Sequence, residues 1–365
     1  MSTLSCAIVG LPNVGKSTLF NALTSSAKAE ASNYPFCTID PNVGNIKVPD
    51  PRLAILSKLS KSQKLVYADT QFVDVAGLVK GASKGEGLGN KFLANIRETQ
   101  AIVQVVRCFE DSDVVHVAGK VNPVQDIEVI NLELILSDIQ TLENIIPKLE
   151  KQSKLNKENK QALDVLIKIK EHLYKEQVAR TLELSDEEKE WIKPYPLITQ
   201  KKMLYVANVG EADLPSMENA HVAAVREYAH AHGDEVIAIC AKLEEEIAQL
   251  PIDEREEYLH SLGLKESGLE RLAKASFKML GLITYLTTGE IETRAWTIKK
   301  GYKAPQAAGE IHTDLEKGFV RAQVIGYEDF VKCGSRVEAR KLGLERAEGK
   351  DYVVQDGDVI NFLHH

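Results

Sequence analysis

The 365-residue sequence predicts an α/β protein built around a doubly wound sheet, with a helical coiled-coil insertion and a β-rich C-terminal domain. Three observations support this prediction. Near the N-terminus, a short apolar run leads into a glycine-rich loop and then into a helical pattern. Around residue 132 the apolar residues begin to recur every three or four positions. From residue 282 onward, short β-rich runs and turn signals dominate.

Length, composition and charge exclude several classes of protein. Domains average roughly 150 residues, so the chain should hold two or three of them. With 44% hydrophobic and 27% charged residues, it is not disordered throughout. The net charge of −8 argues against a protein that coats nucleic acid non-specifically, and we expect no DNA partner. No apolar run reaches the roughly 18 residues that span a bilayer, and the N-terminus lacks a signal-peptide pattern. We expect a cytoplasmic protein with no membrane partner.

The cysteines are scattered and predict neither a disulfide framework nor a zinc site. None of them forms a C-x-x-C pair, so reduced thiols are expected. They are Cys6, Cys37, Cys108, Cys240 and Cys333. Cys37 lies in a polar loop, and whether it is a redox-active thiol or a bystander stays open.

Residues 10–17 form the strongest motif. They read G-x-x-x-x-G-K-S and lie between a strand-like run and a helix-like run. Glycines let the backbone approach phosphate closely, with N–H groups converging at a helix N-terminus. Lys16 would reach the β- and γ-phosphates, and the Ser17 hydroxyl would bind Mg²⁺. The nucleotide-binding residues expected here are Asn13, Val14, Gly15, Lys16, Ser17 and Thr18.

Two further segments predict the rest of a Mg²⁺ and γ-phosphate site. Thr38 lies in a proline-punctuated loop soon after the phosphate-loop helix, where a switch-type NTPase places a Mg²⁺-binding threonine. Residues 74–77 read D-x-x-G at the end of an apolar strand. Asp74 would hold Mg²⁺ through water, and the Gly77 N–H would contact the γ-phosphate. The glycine-rich residues that follow predict a second switch.

Leu78 stands where many GTPases carry a water-orienting glutamine. An aliphatic side chain cannot align a water molecule, so catalytic help must come from elsewhere. Asn13 could coordinate a monovalent cation such as K⁺ that bridges the phosphates, or it could simply stabilise the loop. His116, after the strand-like residues 102–106, could act over the site or be structural. The sequence leaves both roles open for Asn13 and both roles open for His116.

A helical segment separates two α/β stretches. Its apolar residues have the three–four spacing of a coiled-coil seam. That seam comprises Leu132, Ile135, Ile139, Leu142, Ile146 and Leu149. Pro147 should kink or end the helix, and a second helix is expected at about 160–180, antiparallel to the first. Residues 148–180 are lysine-rich, which fits either a solvated helix surface or a nucleic-acid face.

Two later strand ends predict the base site. Residues 203–207 lead into Asn208 and Glu211, and residues 235–240 lead into Ala241 and Lys242. In a GTPase these places carry N-K-x-D and S-A-K. Glu211 replaces the guanine-reading aspartate, and Val209 replaces the lysine that packs on the base. Guanine specificity should therefore be weakened, whereas Asn208 can still bond the amine and a ring nitrogen of adenine.

The last part of the chain is predicted to be helical over 252–281 and β-rich from Leu282. Basic residues alternate with Trp296 and Tyr302 between residues 294 and 303. This pattern fits an RNA-contact surface or an ordinary solvated surface, and both stay open.

Together, four motifs closely resemble the YchF/Obg-like ATPase family over essentially the whole chain. They read G-L-P-N-V-G-K-S-T, N-Y-P-F-C-T, D-V-A-G-L-V-K-G-A-S-K-G-E-G-L-G-N and N-x-x-E. The resemblance implies a Ras-like P-loop NTPase domain over 1–128 and 197–281. It also implies a helical coiled-coil insertion over 129–196 and a ubiquitin-like β-grasp (TGS) domain over 282–365.

The resemblance also implies an activity and its site. It implies slow Mg²⁺-dependent hydrolysis of ATP in preference to GTP, stimulation by K⁺, and association with ribosomes, through the large subunit, RNA or both. By motif, residues 13–18 bind phosphates, Ser17 and Thr38 bind Mg²⁺, Asn208 and Val209 contact adenine, and His116 is the loop histidine. A GTPase with relaxed base specificity and a non-catalytic, nucleotide-stabilised ribosome-binding module remain as alternatives.

Overall fold

The computed structural model describes residues 4–31, 42–75, 88–111, 120–154 and 156–365. Its strands are β1 (Ser5–Val9), β2 (Val43–Lys47), β3 (Lys64–Val66), β4 (Asp69–Asp74), β5 (Ala101–Arg107), β6 (Lys202–Asn208), β7 (Glu235–Ile239), β8 (Leu282–Thr288), β9 (Glu292–Lys299), β10 (Phe319–Gly326), β11 (Arg346–Glu348) and β12 (Asp358–His364). Its helices are α1 (Lys16–Ala31), α2 (Pro51–Ser60), α3 (Leu88–Glu98), α4 (Pro123–Ser153), α5 (Lys157–Leu173), α6 (Asp186–Ile192), α7 (Ala220–His232), α8 (Ala241–Gln249), α9 (Ile252–Ser261), α10 (Gly268–Met279), α11 (Ala304–Ile311), α12 (Thr313–Lys317), α13 (Tyr327–Cys333) and α14 (Arg336–Lys341). Short 3₁₀ turns cover Ala179–Thr181, Ile198–Gln200 and Glu211–Asp213.

The chain divides into two compact units. Unit 1 comprises Met1–Asn45 and Gln71–Arg271, and unit 2 comprises Ile46–Thr70 and Leu272–His365. Residues 46–70 belong to unit 2 because β3 pairs in parallel with β9. The Arg52 guanidinium also donates to Asp356 at 2.9 Å and to Thr284 at 3.0 Å. The sequence alone gives no sign of this pairing, and the predicted three-part domain boundaries stay a prediction.

Unit 1 contains the predicted doubly wound sheet, which is confirmed, and the pairs from β4 through β1, β5 and β6 to β7 are parallel. The strand order is β2-β4-β1-β5-β6-β7, and β1 pairs in parallel with both β4 and β5. Every residue of β1 and of β5 is buried, as expected for strands covered on both faces. The carboxyl ends of these strands therefore meet at one edge of the sheet, where ligands bind in folds of this type.

The helical insertion consists mainly of α4 and α5, which pack on each other. Most of the predicted seam is buried in their shared cluster, but Leu132 is 40% exposed, so its assignment to the seam was wrong. Pro147 lies inside α4, which continues to Ser153, so it does not end the helix. Burial of Ile146 and Leu149 on either side offsets the backbone hydrogen bond that a proline removes. The second helix runs over Lys157–Leu173 rather than 160–180.

Unit 2 contains a mixed sheet in the order β11-β10-β12-β8-β9-β3. β8 and β9 are antiparallel, and β12 pairs in parallel with β8. α11 packs on this sheet, and the Tyr285 hydroxyl donates to the Ala307 carbonyl at 3.0 Å. A mixed sheet with a helix across it agrees with the expected β-grasp domain. Within the described ranges, no helix has the length and apolar character needed to cross a membrane.

Candidate nucleotide-binding site

The phosphate loop joins β1 to α1 and is held in a conformation that requires glycine. Gly15 has a φ of 91°, and Asn13 has a φ of 64°. A Cβ on Gly10 would lie 2.9 Å from Val14 Cγ2 and 3.1 Å from the Val105 carbonyl oxygen. The loop runs directly into the N-terminus of α1, whose first backbone N–H groups have no partner within the helix. This arrangement is suited to binding an anion.

Lys16 and Asp74 meet at the start of α1. The Lys16 Nζ lies 2.5 Å from Asp74 Oδ1, and the side chains are 10% and 25% exposed. They are 58 residues apart in sequence. The register of β1 and β4 pairs Ile8 with Asp74 and brings the carboxylate to the loop. Asp74 therefore orients the ammonium beside the N–H groups that would bind phosphate.

The oxygens beside the loop suit Mg²⁺. Ser17 is exposed in the first turn of α1, and its hydroxyl and the Asp74 carboxylate are the hard donors that Mg²⁺ prefers. In the described part of the chain, no three or more His, Cys, Asp or Glu residues cluster so as to hold a metal ion. The metal roles of Ser17 and Asp74 stay predictions.

Asn208 connects the phosphate loop to the ends of two other strands. Its Nδ2 donates to the Val14 carbonyl at 2.9 Å, and its Oδ1 accepts from the Ala241 N–H at 3.0 Å. The side chain is 4% exposed, and a Cβ on Gly15 would collide with it. One amide hydrogen and one oxygen lone pair remain for a base. The sequence predicted the base contact but not this structural role.

Val209 follows Asn208 but turns its side chain into the core of unit 1, where it is 2% exposed. Its backbone N–H donates to the Ile239 carbonyl at 2.9 Å. Any contact of Val209 with adenine would therefore be made by its main chain, and that contact stays a prediction.

Glu211 and Lys242 form an ion pair next to Asn208. The Lys242 Nζ lies 2.5 Å from Glu211 Oε2, and the side chains are 66% and 50% exposed. The hydrogen bond from Lys242 to Glu211 raises the pKa of the ammonium. Sequence reasoning found both positions but not their pairing, because the two loops that carry them meet only in the folded sheet.

Several predicted residues lie outside the described residues. These are Thr38, Gly77, His116, and with them Leu78 and Cys37. Asn13 is described, and it is exposed within the loop. Its proposed role as a K⁺ ligand stays a prediction.

Comparisons with known proteins identify the family. A family model described as "50S ribosome-binding GTPase" matches residues 5–168, and the model of the YchF GTPase C-terminal region, described as a protein of unknown function, matches residues 282–365. The "Ribosome-binding ATPase YchF" of Bacillus subtilis (strain 168) is 53% identical over 363 residues, which cover 98% of each chain. The chain belongs to the YchF family. The "Ribosome-binding ATPase YchF" of Shigella flexneri is 53% identical over 359 residues, which again cover 98% of each chain.

Solved structures agree with this assignment. The Schizosaccharomyces pombe YchF GTPase superposes with a TM-score of 0.90 at 36% identity, covering 100% of this chain and 98% of that one. A GTP binding protein from Pyrococcus horikoshii gives a TM-score of 0.61 at 22% identity, covering 99% of this chain and 100% of that one, and shows a shared fold only. The YchF relatives are thus named both ATPase and GTPase, which makes the base the property to test.

Proposed function

We propose that this YchF-family protein is a ribosome-binding ATPase that binds ATP in preference to GTP and hydrolyses it slowly. The observation that carries the nucleotide-hydrolysis part of the proposal is the Lys16–Asp74 pair, in which the lysine of the G-x-x-x-x-G-K-S motif meets the aspartate of D-x-x-G at the N-terminus of α1. The bacterial relatives, named ribosome-binding ATPases, support it.

The chain's own residues divide the phosphate chemistry among them. The backbone N–H groups of residues 13–18 surround the phosphates, and Lys16 compensates the charge of the β- and γ-phosphates. Ser17 and Thr38 would bind Mg²⁺ directly, Asp74 would do so through water, and Gly77 would contact the γ-phosphate. Bound Mg²⁺ supplies charge neutralisation on the phosphate oxygens.

Catalysis in the absence of a water-orienting glutamine needs another source. We assign it to K⁺ held at Asn13 and to His116. The K⁺ assignment predicts a measurable dependence, because replacing K⁺ with Na⁺ should slow turnover and so should Asn13→Ala.

Steady-state hydrolysis tests the K⁺ assignment. ATP turnover would be measured in K⁺ and in Na⁺, with and without ribosomes, for the wild type and for Asn13→Ala. We expect turnover that rises with K⁺, and loss of that rise in Asn13→Ala. Equal rates in K⁺ and Na⁺ would contradict the cation role. No turnover under any condition would favour a nucleotide-stabilised binding module instead.

The ribosome contact is assigned to the basic and aromatic surface of unit 2. The Arg294 guanidinium lies 3.9 Å from the Trp296 ring centroid, and Lys299 and Lys300 are exposed at the end of β9. Lys303 pairs with Asp351 at 2.7 Å but keeps a half-exposed side chain. Cations beside an aromatic face suit RNA phosphates and bases.

Charge reversal tests this surface. We expect Lys→Glu at 299, 300 and 303 together to weaken co-sedimentation with ribosomes and leave ATP turnover without ribosomes unchanged. The matched control reverses three exposed lysines elsewhere: Lys189, Lys193 and Lys341. Equal pelleting of the two triple variants would remove this surface from consideration.

A further inference from the structure

The Glu211–Lys242 pair lies at the base end of the site and joins two loops. Glu211 begins the 3₁₀ turn after β6, and Lys242 lies in the first turn of α8. They are 31 residues apart in sequence, with Nζ and Oε2 separated by 2.5 Å. Asn208 connects these loops, since it lies at the end of β6 and accepts from the Ala241 N–H. The same amide reaches the phosphate loop at Val14.

The two purines present opposite chemistry to a carboxylate at this position. The Watson–Crick edge of guanine carries a ring N–H and an exocyclic amine, both donors. The corresponding ring nitrogen of adenine is an acceptor. A bare carboxylate is an acceptor only, so it favours guanine by two charge-assisted hydrogen bonds and repels the adenine ring nitrogen.

We propose that Lys242 is a specificity-determining residue. Its ammonium pairs with the Glu211 carboxylate, so that the carboxylate neither accepts hydrogen bonds from guanine nor repels the ring nitrogen of adenine. The proposal rests on the proposed function, because it assigns a base preference to that same nucleotide site. It differs from the effect of the aspartate-to-glutamate replacement, since it depends on a partner from another loop.

The pair has little to contribute to folding. Ion pairs exposed to this degree are screened by solvent and add little to stability. A matched pair exists in unit 2, where Lys341 and Glu338 lie 2.7 Å apart with the same exposures of 66% and 50%. That pair follows from i,i+3 spacing on one helix, whereas Glu211 and Lys242 are brought together only by the two loops beside Asn208.

The test measures dissociation constants of ATP and GTP, with Mg²⁺, for the full chain. Lys242→Ala should tighten GTP about tenfold and weaken ATP, so the two affinities move in opposite directions. Lys242→Arg keeps the cation and should retain the wild-type ratio. Lys341→Ala should change neither affinity. Adding Glu211→Gln to Lys242→Ala should abolish the gain for GTP.

The possible results of these binding measurements distinguish the role of Lys242 from the proposed ATPase function. Wild-type preference for ATP with an unchanged GTP:ATP ratio in Lys242→Ala overturns the role of Lys242 and leaves the ATPase proposal standing. An equal loss of both affinities in Lys242→Ala also overturns it, since that is a structural effect. Wild-type preference for GTP refutes the ATP assignment and the role of Lys242 together, because the carboxylate would then read guanine despite its partner.

Discussion

Asn208→Ala should damage both the stability of unit 1 and its affinity for nucleotide. The amide is buried and makes two hydrogen bonds, to the Val14 carbonyl at 2.9 Å and from the Ala241 N–H at 3.0 Å. Alanine fills neither role, so a backbone acceptor and a backbone donor lose their partner. Each such buried group costs about 1–3 kcal/mol when left unsatisfied. We therefore expect a loss of about 2–6 kcal/mol in the free energy of unfolding.

The two tryptophans allow this loss to be measured in unit 1 alone. Trp191 lies in unit 1 and Trp296 in unit 2, so a Trp296→Phe background leaves only the fluorescence of Trp191. Urea titrations of this background, with and without Asn208→Ala, give the difference in unfolding free energy. Nucleotide titrations of the same proteins should show at least tenfold weaker binding.

Two further variants test whether the effect is specific to Asn208: a control at another hydrogen-bonded asparagine, Asn156, and a substitution of Asn208 that removes only one of its two hydrogen bonds. Asn156 accepts one exposed hydrogen bond from the Glu158 N–H, at 2.8 Å, as the cap of α5. Asn156→Ala should cost about 1 kcal/mol and leave nucleotide affinity unchanged. Asn208→Asp keeps the acceptor for Ala241 and loses the donor to Val14, so it should be intermediate in stability. An Asn208→Ala loss no larger than that of Asn156→Ala, with normal nucleotide binding, would refute the role given to Asn208.

Three further outcomes follow from the described contacts. Gly15→Ala should lower nucleotide affinity at least tenfold, because Gly15 has a φ of 91° and a Cβ there would collide with the Asn208 amide. The control Gly233→Ala, at a φ of 72° with nothing within 4 Å of its Cβ, should cost about 1 kcal/mol of stability and leave affinity unchanged. Equal affinities of the two variants in nucleotide titrations would contradict this. Asp234→Ala leaves the Arg180 guanidinium buried without its partner at 2.8 Å and should cost about 3–5 kcal/mol in urea titrations, so a loss under about 1 kcal/mol would count against a buried pair. Burial raises the pKa of Cys108 to about 12, so the native thiol should resist iodoacetamide between about pH 7 and about pH 9 and react in urea. Since this folded-state pKa exceeds the value of 9.0 for a free thiol, ionisation of Cys108 should remove stability as the pH rises above about 9, and rapid native alkylation at lower pH would contradict its burial.

The phosphate loop could be predicted from sequence because its chemistry is local. Gly10 and Gly15 lie in the loop between a strand and a helix, Lys16 and Ser17 begin that helix, and the structure gives them that setting. The periodicity of α4 was also readable, since burial follows residue spacing on a helix. The continuation of α4 through Pro147 was not, because it depends on packing against α5.

Contacts between distant segments could not be predicted. The Lys16–Asp74 distance depends on strand register, and the Glu211–Lys242 pair depends on the adjacency of β6 and β7. Residues 46–70 gave no local sign that β3 would pair with β9, because a parallel pairing over this separation is decided by the whole sheet. Likewise, a base-reading motif does not reveal that the Asn208 amide supports the phosphate loop.

The most direct test of the central claim compares hydrolysis of ATP and GTP side by side, for the wild type and for Lys16→Ala. Lys16 is the residue through which the loop would act on the phosphates, so its loss should abolish turnover of either nucleotide. We predict a higher kcat/KM for ATP than for GTP in the wild type and no turnover above background in Lys16→Ala. A higher kcat/KM for GTP, or ATP turnover that survives Lys16→Ala, would contradict the account.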